Sequence, residues 1–231
     1  YKINFRTALT AGAMNNIRIP TGIGIKGNIK ANGNNGYSAS LMAREGAGLL
    51  KAKGSFNAKA MQYEADMEAS NLQIQHFMPK SGMRDFTGNI YIKGKGADFT
   101  STSTKLEADA KIVKFNFGQY NLGNIKANAR IDKGVAHADI DSDNRLVRGI
   151  ISFDALINPK KLQATVFADL HHADLKGLDI VKRPMSVALC GHVDLLSDMK
   201  KLYSIQGTVG DLTVRDSLKV FRPDEIKMNV F

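Results

Sequence analysis

Apolar and polar residues alternate along almost the whole chain, and this period of two limits the possible folds more than any other feature. Between positions 124 and 131, for example, polar residues separate Ile125, Ala127, Ala129 and Ile131. Successive side chains of a β-strand point to opposite faces, so this alternation predicts strands with one apolar and one hydrated face. Antiparallel sheets tolerate a hydrated face. Roughly a dozen such segments joined by short Gly, Asn or Asp turns therefore predict an antiparallel meander.

The hexapeptide Gly-Asn-Ile-Lys-Ala-Asn occurs in identical form at 27–32 and at 123–128. The similarity continues beyond both copies, and the second copy gains residues near 156–161, where an Asn-Pro pair predicts a turn. A repeat that gains residues at a turn is typical of stacked supersecondary units. We predict one continuous repetitive β domain over residues 1–231, with internal repeats at approximately 27–122 and 123–219. We also expect the chain to be a fragment of a longer protein.

The alternation changes phase at matching places in the two copies. In the first copy the apolar residues fall on odd-numbered positions up to Ala69 and continue on even-numbered ones from Leu72. In the second copy they fall on even-numbered positions up to Leu170 and continue on odd-numbered ones from Leu175. A slip of one residue would turn the apolar set outward unless a β-bulge or bend resets it. Bends that recur at the repeat period would curl the sheet. The predicted fold is therefore all-β, an elongated and curled antiparallel sheet that forms a β-taco groove.

The side chains in the apolar phase are mostly small, because Ala and Ile dominate and the chain has no Trp. Two opposed sheets with such faces would fill an interior poorly, whereas a curled sheet would leave an open trough on an apolar concave face. The residues predicted to line this groove are Ile25, Ile29, Ala31, Ile90, Ile92, Leu106, Ala108, Ala110, Ile112, Ile125, Ala127, Ala129, Ile131, Ala136, Ala138, Ile151, Phe153, Val166, Ala168, Leu170, Val187, Leu189, Val193 and Leu195.

The net charge of +10 is spread along the chain. A nucleic-acid-binding surface would cluster its charge and interleave aromatic residues, so the dispersed cations predict a hydrated strand face and no nucleic-acid partner. The sequence contains no run of about 18 apolar residues, so it predicts no transmembrane helix. Because Cys190 is the only cysteine, no internal disulfide is possible, and no His lies at a spacing that would activate the thiol.

Three carboxylates imitate the first half of a calcium-binding loop. They are Asp139, Asp141 and Asp143, but Asn144 stands where such a loop needs Gly, and Ile150 replaces the closing bidentate Glu. We therefore predict a hydrated hairpin turn at this point and no calcium site.

No other pattern predicts catalysis. His171 and His172 would point to opposite faces of a strand and could not share a metal ion. The sequence contains no phosphate loop, nucleophile elbow or zinc motif. We predict that the protein is not an enzyme and that it uses no cofactor and no metal.

Two stretches, ADLHHADLKGL at 168–178 and VALCGHV at 187–193, resemble the TamB family (the translocation and assembly module subunit, related to AsmA-like proteins). The stretch 134–153, an Asp-rich hairpin followed by a strand, is similar to the same family, in the form found in Bacteroidetes. The resemblance implies a periplasmic protein whose long sheet folds into a taco-like groove. The inner-membrane anchor that it implies would lie outside residues 1–231.

The same resemblance implies transport of phospholipid, or other acyl-chain cargo, to the outer membrane. It further implies a role in outer-membrane protein assembly beside an Omp85-type partner, bound through regions outside this chain. Such transport is physically sensible, because about thirty acyl methylenes at about 0.8 kcal/mol each oppose the passage of a diacyl lipid through water. An apolar trough would remove most of that barrier without any chemistry.

The main alternative is a structural β-solenoid or adhesin-like module with a closed core and no ligand. It predicts dry packing and short, coil-like repeats, which a period near 96 residues fits less well. A β-helix enzyme that acts on carbohydrate would need a clustered acidic cleft, and the sequence predicts none.

Overall fold

The computed structural model describes residues 2–9, 12–14, 17–158, 160–198, 200 and 203–230. Strands account for 72% of the chain and helix for 2%, which confirms the predicted all-β antiparallel fold. The elements are β1 (Lys2–Leu9), β2 (Gly12–Met14), β3 (Ile17–Ile19), β4 (Ile23–Gly33), β5 (Gly36–Glu45), β6 (Gly48–Asn57), β7 (Gln62–Gln73), α1 (Ile74–Phe77), β8 (Met83–Lys95), β9 (Lys105–Phe117), β10 (Tyr120–Asn121), β11 (Ile125–Asp132), β12 (Val135–Asp143), β13 (Val147–Asn158), β14 (Lys161–Asp174), β15 (Met185–Ser197), β16 (Tyr203–Asp216), β17 (Val220–Phe221) and β18 (Ile226–Val230).

The strands follow a meander in which most neighbours in sequence are neighbours in space. Sixteen strands form one open sheet in the order β1-β4-β5-β6-β7-β8-β9-β11-β12-β13-β14-β15-β16-β17, with β10 beside β9 and β18 beside β16. The short strands β2 and β3 pair separately. Every strand pair with a resolved register is antiparallel, from β1 with β4 to β16 with β18.

The chain forms two compact units. The first unit comprises residues 1–96 and 108–124, and the second comprises residues 97–107 and 125–231. The first hexapeptide lies within β4 of the first unit. The second begins at Gly123 and Asn124, which precede β11 and belong to the first unit, and its other four residues begin β11 of the second unit. In each unit the hexapeptide strand is followed by four antiparallel strands, β5 to β8 or β12 to β15. The assignment of repeats at 27–122 and 123–219 stays a prediction.

The hairpin between β4 and β5 shows how the turns are encoded. Asn34 and Asn35 adopt positive φ angles of 44° and 58°, which suits a two-residue turn that matches the twist of the strands. Asparagine tolerates this left-handed conformation better than other residues with a Cβ atom. The turn predicted near 156–161 is also present, because β13 ends at Asn158 and β14 begins at Lys161.

Replacing Asn35 with valine is expected to lower the free energy of unfolding by about 1–2 kcal/mol, because a β-branched residue is strained at positive φ. Asn35→Gly removes that strain and should match or exceed the stability of the unchanged protein. Urea unfolding of the three proteins measures the difference. Equal unfolding midpoints for the valine and glycine variants would contradict the assigned turn.

Both predicted phase slips are β-bulges. In the first unit the register between β7 and β8 shifts between Ala69 and Leu72. Asn71 lies in the bulge at φ 49°, and its backbone N–H donates to Thr87 Oγ1 at 3.0 Å. In the second unit the register between β14 and β15 shifts between Leu170 and Ala173. Each bulge inserts a residue that returns the apolar side chains to the same face.

The described residues bury few apolar side chains. Those that are buried are small, with one exception, and comprise Ile23, Ala69, Ala136, Ala155, Ala164 and Ala173. The chain exposes 15320 Å². Two compact proteins of half its mass would together expose only about 12,400 Å². The excess follows from sheets whose apolar faces no second layer of described strands covers.

Candidate functional site

The first unit carries one apolar face on β4 to β8. Antiparallel pairing places directly opposite residues on the same face, so the register groups this face into rows across the strands. The rows are Ile25-Ala43-Leu50-Ala69-Gly88, Gly27-Leu41-Ala52-Met67-Ile90, Ile29-Ala39-Gly54-Ala65-Ile92 and Ala31-Tyr37-Phe56-Tyr63-Gly94. We call these four rows the first apolar face. The strand β1 extends it, because Phe5 is paired with Gly27 and Ile3 with Ile29.

Solvent access increases from one end of the first apolar face to the other. Ala69 is buried, and the helix α1 contacts β8 near that end. At the opposite end Ile29 is 48% exposed, Tyr37 47% and Phe56 40%. Large apolar side chains therefore meet water on a face that no described element covers at this end.

A small apolar cavity of about 110 Å³ lies at the covered end of the first unit. Leu50, Leu72 and Phe77 are among its lining residues. Glu45 also lines the cavity. Its Oε1 atom lies 2.6 Å from Nδ1 of His76, and this hydrogen bond connects β5 to α1. This closed end contrasts with the open rows that follow it.

The second unit carries a corresponding apolar face on β11 to β16. Its rows are Ile131-Ala136-Ala155-Ala164-Leu195-Ile205, Ala129-Ala138-Phe153-Val166-Val193-Gly207, Ala127-Ile140-Ile151-Ala168-Gly191-Val209, Ile125-Ser142-Gly149-Leu170-Leu189 and Val147-Ala173-Val187-Val214. We call these rows the second apolar face. The last row lies beyond the bulge of β14 and is apolar throughout, so the bulge preserves the face.

The most tightly packed part of the second apolar face is built from alanine. Ala136, Ala155 and Ala164 are buried in one row, and larger neighbours such as Phe153 and Leu195 pack against them. The alanine side chain is a single methyl group, so the surface of this row lies close to the backbone of the sheet. The elements in extensive contact within the second unit are strands that neighbour each other in the sheet. No described helix or second sheet packs on this face.

The structure describes all the residues predicted to line the groove. Most are half-buried, Ala136 is buried, and Ile29, Ala31 and Val166 are exposed. Those of β4 and β8 belong to the first apolar face, and those of β11 to β15 belong to the second. On β9, Ala108 and Ala110 are half-buried in the first unit, and Leu106 in the second. Their role in holding a ligand stays a prediction.

Sequence reasoning left several members of the two faces out of the predicted set. On β5, Leu41 and Ala43 flank Met42, and this run of three apolar residues gives no clear phase. Their membership follows only from the register, which pairs Leu41 with Ala52 and Ala43 with Leu50. Pairing with an alternating neighbour is the signal that could have found them.

The opposite face of the first unit is polar and carries a shallow depression of about 510 Å³. Lys51 Nζ and Glu68 Oε2 lie 3.0 Å apart on this face, and the Tyr91 hydroxyl donates to Glu64 Oε1 at 3.1 Å. The side chains that line the depression include Asn28, Lys30, Ser38, Ser40, Lys53, Ser55, Glu64, Asp66 and Tyr91. This depression therefore lies over hydrated groups.

A hydrogen-bonded network occupies the polar face of the second unit. His137 Nδ1 lies 2.7 Å from Asp154 Oδ1, and its Nε2 lies 2.8 Å from Asp139 Oδ2. Asp139 also accepts from the Ser152 hydroxyl at 2.6 Å. The Asp154 carboxylate, followed by Asp139, raises the pKa of His137. The Ser152 hydroxyl, followed by His137, lowers the pKa of Asp139. The serine meets the carboxylate and not the imidazole, so this is not a nucleophile activated by histidine.

His137 is expected to titrate above the ordinary value of about 6.5. A raised folded-state pKa means that the network stabilises the fold fully below about pH 6.5 and loses this contribution as pH rises through the folded-state value. NMR titration of the imidazole measures the shift. Asp154→Asn should lower the midpoint. Asp141→Asn, on the same strand as His137 but outside the network, should leave it unchanged. An unshifted midpoint in the unchanged protein would contradict the network.

The calcium-like segment does not form the predicted turn. Asp139 and Asp141 lie within β12, which ends at Asp143, and the turn comprises residues 144–146. The strand is longer than predicted because Ser142 sits on the apolar phase, buried, and donates to the Val147 carbonyl at 2.6 Å. Asp143 pairs with Arg148 at 3.0 Å.

Other polar residues of interest lie apart from one another. His171 and His172 fall in the β14 bulge, where His171 Nε2 lies 3.6 Å from Asp169 and His172 is paired with Arg148. Cys190 is half-buried on the phase opposite Leu189. Among the described ranges, His, Cys, Asp and Glu side chains form no group of three that could hold a metal ion.

Comparison of this chain with known proteins found no match. No family model matches it, and no curated protein or solved structure matches it. Within the part of the chain that the structure describes, no helix has the length and apolar character needed to cross a membrane.

Proposed function

We propose that the two apolar faces carry the acyl chains of phospholipid, in a segment of a protein that transports lipid between the inner and outer membranes of a cell envelope. The observation that carries this proposal is the unpartnered second apolar face, five rows of mostly Ala, Ile, Leu and Val. Contiguous exposed apolar surface of more than a few hundred Å² marks an interaction site. Exposed members such as Ile140 (40%) and Val166 (37%) make this surface accessible.

The composition of the second apolar face favours acyl chains over a protein partner. Protein interfaces concentrate binding energy in Trp, Tyr and Arg. The second apolar face has one aromatic residue in its rows, Phe153, and no cation. Methylene chains need no directional contacts and gain about 0.8 kcal/mol for each buried CH₂. A surface of small alanine side chains can bury methylene groups without requiring a particular conformation of the acyl chain.

The separation of the two phases also supports the proposal. On β11 the two phases differ in polarity, because Ala127 lies on the apolar face and Lys126 on the polar one. On β13 and β14 the polar phase also carries exposed apolar side chains, namely Ile150, Leu156 and Phe167. A headgroup can stay hydrated beside a strand such as β11 while the acyl chains lie on the apolar face. The periplasmic location, the inner-membrane anchor and the Omp85-type partner remain parts of the proposal that rest on the resemblance to TamB.

A closed structural module is the second candidate, and the strand order disfavours it. A β-solenoid stacks successive coils in parallel, whereas the neighbouring strands here pair antiparallel in a meander. A closed core would also bury large side chains, but alanine accounts for five of the six buried apolar residues among those described.

Native mass spectrometry of protein purified from cells without detergent tests the proposed function. We expect a population whose added mass is that of one or more phospholipids, released on collisional activation. Lipid-free protein throughout would contradict the proposal. A dimer without lipid would instead indicate that a second copy covers the apolar faces.

A further inference from the structure

Two loops at one end of the second unit expose apolar side chains. The loop that precedes β15 carries Ile180, which is 65% exposed, and the turn that follows β16 carries Leu218, which is 90% exposed. The loops are adjacent, because Met185 at the start of β15 is paired with Asp216 at the end of β16. We call residues 174–183 and 215–222 the tip.

The backbone of the tip is held in place by hydrogen bonds. Asp216 Oδ1 accepts from the N–H groups of Leu218 and Lys219, both at 2.8 Å, and the Asp216 N–H donates to the Lys219 carbonyl at 3.0 Å. In the other loop, the Ile180 N–H donates to the Leu175 carbonyl at 2.9 Å. These bonds present Leu218 and Ile180 to solvent on a defined backbone, so their exposure is part of the fold.

Exposed cations accompany the apolar side chains in both segments of the tip. The tip contains six exposed basic residues and three acidic ones, and two of the acids, Asp174 and Asp216, already accept from backbone N–H groups. Arg183 Nη1 lies 3.8 Å from Asp216 Oδ2 and joins the two loops. The basic residues are Lys176, Lys182, Arg183, Arg215, Lys219 and Arg222. The tip therefore combines protruding apolar groups with a net positive rim.

The tip is continuous with the second apolar face. Phe221 is paired with Val214, which belongs to the row that contains Ala173 and Val187. Phe221 is 63% exposed. An apolar path therefore runs from the rows of the sheet to Phe221 in the tip.

We propose that the tip docks on an anionic phospholipid surface. Leu218, Ile180 and Phe221 enter the boundary between headgroups and acyl chains, while the surrounding cations pair with lipid phosphates. Exposed apolar residues within a basic rim match the two attractions that hold proteins at such interfaces, apolar burial and charge pairing with anionic lipids. The proposal is independent of the lipid-carrying role of the faces, because a tip variant can lose docking and retain bound lipid.

Flotation with vesicles of phosphatidylcholine, with and without about one third phosphatidylglycerol, tests the proposal. The unchanged protein should bind the anionic vesicles and bind neutral ones far more weakly. Ile180→Ser with Leu218→Ser should lower the partition coefficient by about tenfold or more. Lys219→Gln with Arg222→Gln should lower it by about 25-fold on anionic vesicles, at about a fivefold loss for each cation.

Matched controls distinguish the effect of the tip residues from the effect of charge or hydrophobicity elsewhere on the protein. Lys160→Gln with Lys161→Gln removes two exposed cations at the opposite end of β14, and Phe99→Ser removes an exposed aromatic group from another loop of the unit. Both controls should bind within twofold of the unchanged protein. Equal losses in control and tip variants, or equal binding to neutral and anionic vesicles, would overturn the proposal. Tip variants that alter self-association in sedimentation but not flotation would also overturn it, in favour of a protein contact.

Discussion

Replacing Ala129 with aspartate is expected to remove bound lipid from the second unit while leaving its fold intact. Ala129 is half-buried in a row with Ala138 and Phe153 on the second apolar face. An unhydrated carboxylate beside acyl chains would cost several kcal/mol, so lipid should leave this part of the face. Because the face is open, the new carboxylate can reach water when lipid is absent, and the fold should therefore survive.

The measurement pairs native mass spectrometry with thermal unfolding. We expect at least a tenfold fall in co-purified lipid and a change of only a few degrees in melting temperature. Leu189→Arg, at another row of the same face, should behave in the same way. Gln163→Asp introduces the same charge on the polar phase of β14 and should retain lipid. If both apolar-face variants fail to fold, a closed core would explain the molecule better than an open face.

Replacing Gly149 with alanine is expected to destabilise the second unit by about 3 kcal/mol. Gly149 adopts φ 147°, a conformation that side chains rarely tolerate, at the register shift between β13 and β14. A Cβ atom there would overlap the Asp169 carbonyl oxygen and lie 2.8 Å from Leu170 Cα. The strands would have to separate, and the rows beyond the bulge would lose their alignment.

Thermal unfolding followed by circular dichroism measures this effect, with an expected fall of roughly 10 °C in the midpoint. Gly24→Ala is the matched control, because a Cβ atom at Gly24 meets nothing within 4 Å and φ is not positive. That variant should stay within about 0.5 kcal/mol of the unchanged protein. Similar midpoints for the two variants would show that the strands do not approach at Gly149 as described.

The alternation of residues was enough to predict the all-β antiparallel fold, because a strand that buries one side alternates apolar and polar residues in its sequence. The bulges at Ala69–Leu72 and Leu170–Ala173 were predictable for the same reason, since a bulge shifts that alternation by one residue. Local sequence carries this information because each strand contributes to the face independently of its partner.

Features that depend on register or on non-adjacent loops could not be predicted in this way. His137 and Asp154 are 17 residues apart in sequence and meet only because β12 and β13 pair in a particular register. The loops of Ile180 and Leu218 come together only because β15 and β16 pair with their ends aligned. The four-residue helix α1 is too short to show helical periodicity.

Photo-crosslinking tests the central claim most directly, namely that the apolar faces carry acyl chains. A photoreactive residue at Ala127 or at Ala168 lies in one row of the second apolar face, whereas one at the adjacent Lys126 points to the polar face beside Asp141. After irradiation in cells, we expect lipid adducts at Ala127 and Ala168 and almost none at Lys126. Equal labelling at both phases, or protein adducts alone at Ala127 and Ala168, would contradict the account.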